Sequence, residues 1–153
     1  MSGHRKTRFC FAACQTAFSI ALATVVVLVM AGCQNAEDQL DLADKHVGDA
    51  KHAQAMEAYN TAIELKPDYA IAYHNRGLLH LKLDQVSQAI EDFGKAIELD
   101  EGFSEAYRNR GQLHLQRKEF EQAIEDFSRL QELEPNDTLA RTNRGLAYRA
   151  TTQ

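Results

Sequence analysis

The sequence predicts an all-α chain, a solenoid of repeated helical hairpins with about seven helices, placed behind a short apolar N-terminal segment. Three observations predict it. The chain repeats every 34 residues: Asn75-Arg76-Gly77 returns as Asn109-Arg110-Gly111 and Asn143-Arg144-Gly145, Ala55 as Ala89 and Ala123, Tyr59 as Phe93 and Phe127, Leu65 as Leu99 and Leu133. Within a repeat the apolar residues fall at helical spacing, with Ala89, Phe93, Ala96 and Ile97 on one face at i, i+4, i+7 and i+8. Turn formers punctuate each repeat twice: Asp84-Gln85 and Lys118-Glu119 at its middle, then Lys66-Pro67-Asp68, Asp100-Glu101-Gly102 and Glu134-Pro135-Asn136 at its end.

The first element is the N-terminal segment. His4, Arg5, Lys6 and Arg8 precede an uncharged run over 9–32 whose most apolar part is Val25 to Met30, the pattern of an export signal. Its end, Met30-Ala31-Gly32-Cys33, resembles the lipobox of bacterial lipoproteins. That resemblance implies that residues 1–32 are a signal peptide, that Cys33 carries a diacylglyceryl group with a further acyl chain such as palmitate on the new amino end, and that 33–35 form the lipidated N-terminus. Two or three acyl chains make such attachment effectively permanent. Gln34 stands where an Asp would retain enteric lipoproteins at the inner membrane, so the resemblance implies the outer membrane in preference to the inner. The alternative is an uncleaved anchor, because the run over 9–32 is long enough to span a bilayer. In both cases the basic residues stay cytoplasmic and the body faces the periplasm of the cell envelope. Cys10 and Cys14 leave with the segment, so no thiol remains for a disulfide, metal or nucleophile.

The body follows as helices predicted over 37–48, 52–65, 70–83, 86–99, 104–117, 120–133 and 138–150. No acid precedes Glu37, so although the whole chain is only −5, the body alone is more acidic. That balance argues against nucleic acid, whose phosphates demand a basic footprint, and against an anionic groove ligand. The charge is also lopsided. Residues 34–50 carry Glu37, Asp38, Asp41, Asp44 and Asp49 against Lys45, whereas 138–153 carries Arg141, Arg144 and Arg149 and no acid, which predicts that the last helix meets an acidic surface.

At this point the body resembles the tetratricopeptide repeat (TPR) family. Where that family places large, small and aromatic residues, the repeat 70–103 has Tyr73, Gly77, Ala89, Phe93 and Ala96, and the repeat 104–137 has Tyr107, Gly111, Ala123, Phe127 and Pro135. The repeat 36–69 contributes Gln39, Ala43, Ala55, Tyr59, Ala62 and Pro67. His46, His80 and His114 stand at a family aromatic position. The resemblance implies a right-handed α-solenoid of TPR 1 over 36–69, TPR 2 over 70–103 and TPR 3 over 104–137, closed by a capping helix over 138–150. Gly77 and Ala89 remove bulk where two helix axes approach within roughly 8–10 Å.

Arg76 and Arg110 occupy a place the family usually gives to leucine. Sixteen residues later come Asp92 and Asp126, whereas the first repeat has Leu42 and Ala58 at the same places, so charge and countercharge come and go together. Arg76–Asp92 and Arg110–Asp126 are therefore expected as structural ion pairs within a repeat. The histidine ladder is read as semi-buried structure and not as a metal site, since equivalent positions in stacked helices lie about a helix diameter apart. No metal and no cofactor are expected.

The resemblance also implies a peptide-binding groove lined by the first helix of each repeat. The ladder Asn75, Asn109 and Asn143 offers amides able to donate to and accept from an extended backbone, and Ile71, His74, Leu78, Glu105, Arg108, Gln112, Leu139 and Leu146 join it by position. The chaperone-binding branch of the family holds a C-terminal carboxylate with Lys, Asn and Arg. The matching places here are Leu40, Asp44, Asn75, Glu105 and Asn109, so the cations are missing. No nucleophile triad, metal helix motif, phosphate loop or paired-carboxylate context stands out. The expected function is a non-enzymatic, membrane-tethered TPR scaffold that binds envelope proteins, in envelope or pilus assembly; the alternative is a structural lipoprotein that self-associates into a homo-oligomer through the solenoid ends.

Overall fold

The computed structural model describes residues 35–152. The signal segment and the lipidation site Cys33 lie outside the described residues. The described chain is seven α-helices in series: α1 (Ala36–Gly48), α2 (His52–Leu65), α3 (Ala70–Lys82), α4 (Val86–Leu99), α5 (Ser104–Gln116), α6 (Phe120–Leu133) and α7 (Thr138–Thr151). There is no strand among the described residues, and none of their helices is long and apolar enough to cross a membrane.

Each hairpin reverses through one non-glycine residue in the left-handed region: Ala50 (φ 57°), Asp84 (φ 59°) and Lys118 (φ 62°). This residue stops the first helix, and the amide after it closes the turn. Lys51, Gln85 and Glu119 donate to the carbonyls of His46, His80 and His114 at 2.8, 2.9 and 2.9 Å, satisfying oxygens that a helix end would otherwise leave bare. For this reason α3 and α5 end at Lys82 and Gln116, one residue short of the predicted ranges 70–83 and 104–117. Between repeats, the amides of Lys66, Asp100 and Glu134 cap the carbonyls of Ala62, Ala96 and Leu130.

The core is a chain of small clusters along the stack and not one central mass, as a solenoid requires. Leu40, Ala43, Ala55, Tyr59 and Ala62 bury with Ala72 and Leu79 of the next repeat. Ala89 and Phe93 bury with Leu113. Ile97, Tyr107, Phe127 and Leu130 bury with Ala140 and Ala147 of α7. The small residues set the spacing: a β-carbon on Gly77 would stand 2.8 Å from Cε1 of Phe93, and one on Gly111 would stand 3.0 Å from Cβ of Asp126.

Candidate protein-binding surface

A hydrogen-bonded chain runs from hairpin to hairpin across α1, α3 and α5. The Asp44 carboxylate accepts from Asn75 Nδ2 at 3.2 and 3.4 Å and from the Tyr59 hydroxyl. Because a carboxylate only accepts, the Asn75 amide is oriented with Oδ1 toward His74 Nδ1 at 3.2 Å. His74 therefore carries its proton on Nδ1, and its Nε2 accepts from Asn109 Nδ2 at 3.1 Å. His74 is buried between the rings of Phe93 and Phe103 at centroid distances of 5.5 and 4.8 Å. Burial holds its pKa below the ordinary 6.5, against the pull of Asn75 and Glu105. Burial also pushes the Tyr59 phenol far up, and Asp44 adds to the shift, so Tyr59 stays a donor.

The asparagine ladder is thus partly engaged. Asn75 spends both ends of its amide on Asp44 and His74, Asn109 uses only Nδ2, and the Asn109 Oδ1 and the Asn143 side chain make no hydrogen bond among the described residues. Ile71, Leu78, Glu105, Gln112, Leu139 and Leu146 are exposed on the same first helices. His74 lies beneath this surface and not on it. Arg108 is half-buried and held by Glu134 at 2.6 Å and Asp137 at 3.1 Å, so its charge is spent on α7's entry. A depression of about 330 Å³ opens where Asp44, Val47, Tyr59, Asn75, Leu78, Leu79 and Lys82 meet.

The other charged residues tie helix to helix. Arg76 Nε and Nη2 donate to Asp92 Oδ2 and Oδ1 at 2.8 and 2.6 Å, and Arg76 Nη1 donates to Asn60 of the previous repeat at 2.8 Å. Arg110 forks onto Asp126 at 3.0 and 2.6 Å. Hydrogen bonding to Asp92 holds Arg76 charged in spite of burial, while burial pushes the Asp126 carboxyl up and Arg110 opposes it. His80 and His114 clip the hairpin turns, with Nδ1 at 2.7 Å from Gln85 Oε1 and 2.6 Å from Glu119 Oε2. In the first repeat Lys51 occupies that acceptor's place, and His46 Nδ1 is left buried without a partner. No group of three metal-ligating side chains gathers among the described residues.

Sequence reasoning missed Asp44, Tyr59 and Asn60 as partners, because long-range partners leave no periodic trace. Asp137 did carry a signal: it precedes α7 as a helix-capping residue, and it accepts from the amides of Leu139 and Ala140 at 2.8 and 3.0 Å.

Family models decide the lineage. The tetratricopeptide repeat model matches residues 70–103 and 104–137, and a TPR repeat model matches 51–84, so matched residues cover more than half the chain. The chain belongs to the tetratricopeptide repeat family. No curated protein matches it significantly in sequence. Solved TPR structures do match in fold. The TPR2B domain of yeast Sti1 in complex with pHsp70 is 29% identical over 77% of this chain and 97% of that one, with a TM-score of 0.64. The second TPR domain of human RPAP3 in complex with an HSP70 peptide is 26% identical over 74% and 94%, with a TM-score of 0.66. MamA is 25% identical over 82% and 73%, with a TM-score of 0.72. The TPR fold seen here thus resembles protein-interaction domains that bind peptides.

Proposed function

We propose that this TPR protein is a membrane-tethered scaffold of the bacterial cell envelope that binds an extended peptide or helix of another envelope protein in its groove, without catalysis. The observation that carries this reading is the half-buried ladder of Asn109 and Asn143, whose amides keep hydrogen-bonding capacity beside exposed Ile71, Leu78, Leu139 and Leu146. Amide ladders flanked by apolar side chains are suited to a peptide main chain with alternating side-chain contacts. The TPR domains of Sti1 and RPAP3, bound to Hsp70 ligands, support the same mode.

The ligand class differs from the EEVD-ending HSP70 peptide bound by RPAP3. Asp44 presents a carboxylate, and Glu105 and Leu40 replace cations, so an acidic chain end is repelled. The tether is proposed from the lipobox-like end at Cys33, with the outer membrane and an assembly role as its setting.

Two experiments test this. Photo-crosslinking through a group placed at Gln112 in cells is expected to capture an envelope protein, with loss of the adduct when Asn75, Asn109 and Asn143 become Ala. Recovery of the protein alone, equally in both strains, would favour the self-associating structural reading. Cys33→Ser is expected to release the body from the membrane fraction; unchanged membrane retention would leave the uncleaved anchor as the tether.

A further inference from the structure

The last helix keeps a face that its own chain leaves uncovered among the described residues. Along α7, Arg141, Arg144, Gly145 and Tyr148 occupy the places of Tyr73, Arg76, Gly77 and His80 in α3, and of Tyr107, Arg110, Gly111 and His114 in α5. In α3 and α5 the next helix covers this face. Phe93 fills the space above Gly77 and Asp92 takes Arg76, and Phe127 and Asp126 do the same for Gly111 and Arg110. On α7 nothing among the described residues, apart from the helix's own adjoining backbone, lies within 4 Å of where a Gly145 β-carbon would be. Arg144 has no carboxylate partner among the described residues, and Tyr148 is exposed, whereas His80 and His114 at its place in α3 and α5 are half-buried. The opposite side of α7 is seated normally, with Ala140 and Ala147 buried beside Phe127 and Leu130.

We propose that this face of α7 is a docking site for one amphipathic helix of a partner protein, bearing a carboxylate immediately before an aromatic residue. The two preceding repeats supply the template for what fits: an aromatic ring over the glycine, and an acid against the arginine on the next residue of the same helix. Charge agrees, because α7 carries Arg141, Arg144 and Arg149 with no acid. A second copy is a poor occupant. Its own acid-aromatic pairs, Asp92-Phe93 and Asp126-Phe127, are each at most 5% exposed inside their repeats and would have to be unpacked first. This surface is distinct from the groove and does not depend on a groove ligand.

The test uses the full chain and a fluorescein-labelled peptide with the sequence of residues 84–101, the segment that covers Gly77. Fluorescence anisotropy is expected to show saturable binding, weakened at least tenfold by Gly145→Leu and equally by a peptide with Asp92→Ala and Phe93→Ala. Gly145→Leu has open space around it, so circular dichroism should show the fold intact. Arg144→Glu is expected to weaken the parent peptide and to recover binding of a peptide with Asp92→Arg. The Asn75/Asn109/Asn143 triple alanine variant should bind the peptide normally, which separates this site from the groove. No binding at about 1 mM peptide, or equal binding by Gly145→Leu, would overturn the proposal. So would concentration-dependent self-association abolished by Gly145→Leu, since that result assigns the face to a second copy.

Discussion

Three glycines at one repeat position, 77, 111 and 145, give a graded experiment, because a single methyl group meets three different surroundings. Replacing a helical glycine with alanine gains about 0.8–1 kcal/mol of backbone propensity wherever it occurs. At Gly145 no neighbouring element among the described residues opposes that gain, since apart from the helix's own adjoining backbone none of their atoms lies within 4 Å of the new carbon. At Gly77 the new carbon would stand 2.8 and 3.1 Å from the Phe93 ring and 3.3 Å from Cβ of Asp92. Phe93 is fully buried, so its ring has no free direction to swing, and α4 must move or the ring must leave its rotamer. Overpacking of this kind costs about 1–3 kcal/mol, which outweighs the propensity gain. Gly111 meets Cβ of Asp126 at 3.0 Å and the Phe127 ring at 3.3 Å. A β-carbon cannot yield without its helix, so Gly111→Ala also loses on balance.

Thermal unfolding of the full chain, followed by far-ultraviolet circular dichroism, checks the order. Gly145→Ala is expected to melt a few degrees above the parent, at about 4 °C per kcal/mol for a chain of this size. Gly77→Ala and Gly111→Ala are expected below it. A Gly77→Ala midpoint at or above that of Gly145→Ala would refute the claim that helix approach in these hairpins is limited by the Phe93 ring. The ranking is read from midpoints because repeat arrays unfold through neighbour-coupled steps.

Three further outcomes follow from single groups. His74 is held below its ordinary pKa of 6.5 by burial, so the unfolded chain takes the proton first as pH falls below about 6.5, and stability present above that value is lost down to the folded pKa; denaturation midpoints between pH 7 and 5 should fall less steeply for His74→Gln, and an unchanged slope would sink this account. Lys118 holds φ 62°, so Lys118→Gly should raise stability by about 1 kcal/mol, with a smaller gain for Asp84→Gly because Asp tolerates that region better; urea unfolding measures both, and a loss at Lys118 would count against turn strain. Asp137→Ala removes the cap on Leu139 and Ala140 and a partner of Arg108, so about 1 kcal/mol should be lost and amide exchange should quicken in the first turn of α7 specifically; uniform exchange along α7 would argue against capping.

The helices were legible in the sequence because each carries two agreeing signals, an apolar period and a turn at each end. Ala89, Phe93, Ala96 and Ile97 declare one face of α4, and Asp100 to Gly102 close it. The sixteen-residue spacing of Arg76 and Asp92 was readable because the repeat supplies its own control at Leu42 and Ala58. The surface was less legible. His74 sits at a position that faces the groove by analogy, but Phe93 and Phe103 enclose it, a consequence of three-dimensional packing that no spacing records. Asp44 reaches Asn75 across a whole repeat, and Arg108 is drawn to Asp137 by the α7 cap; both partnerships join segments with no common periodicity.

The arginine–aspartate pairs pose a further question: why charge stands where leucine would pack. Repeated hairpins of similar sequence risk pairing with the wrong neighbour during folding, and a buried ion pair can specify register even when it adds little stability. Here α1 with Leu42 faces α2 with Ala58, whereas α3 and α5 carry arginines that only α4 and α6, with Asp92 and Asp126, can satisfy. With α3 or α5 in the place that α1 takes within the first hairpin, the guanidinium would meet Ala58 where its own hairpin offers a carboxylate. The pairs therefore mark the first hairpin as different from the two that follow. A mutant cycle separates this role from stability. Asp126→Ala leaves Arg110 unpaired and should cost about 2–4 kcal/mol, below the fully buried limit because Arg110 retains some exposure. Arg110→Leu with Asp126→Ala restores the pattern of the first repeat, so most of that loss should return in equilibrium unfolding. If specificity is what the charges supply, the double variant should instead refold with more slow or swapped species at high concentration, seen by size exclusion after refolding. A double variant as unstable as Asp126→Ala alone would show that the pair contributes net stability, and the register argument would then be unnecessary.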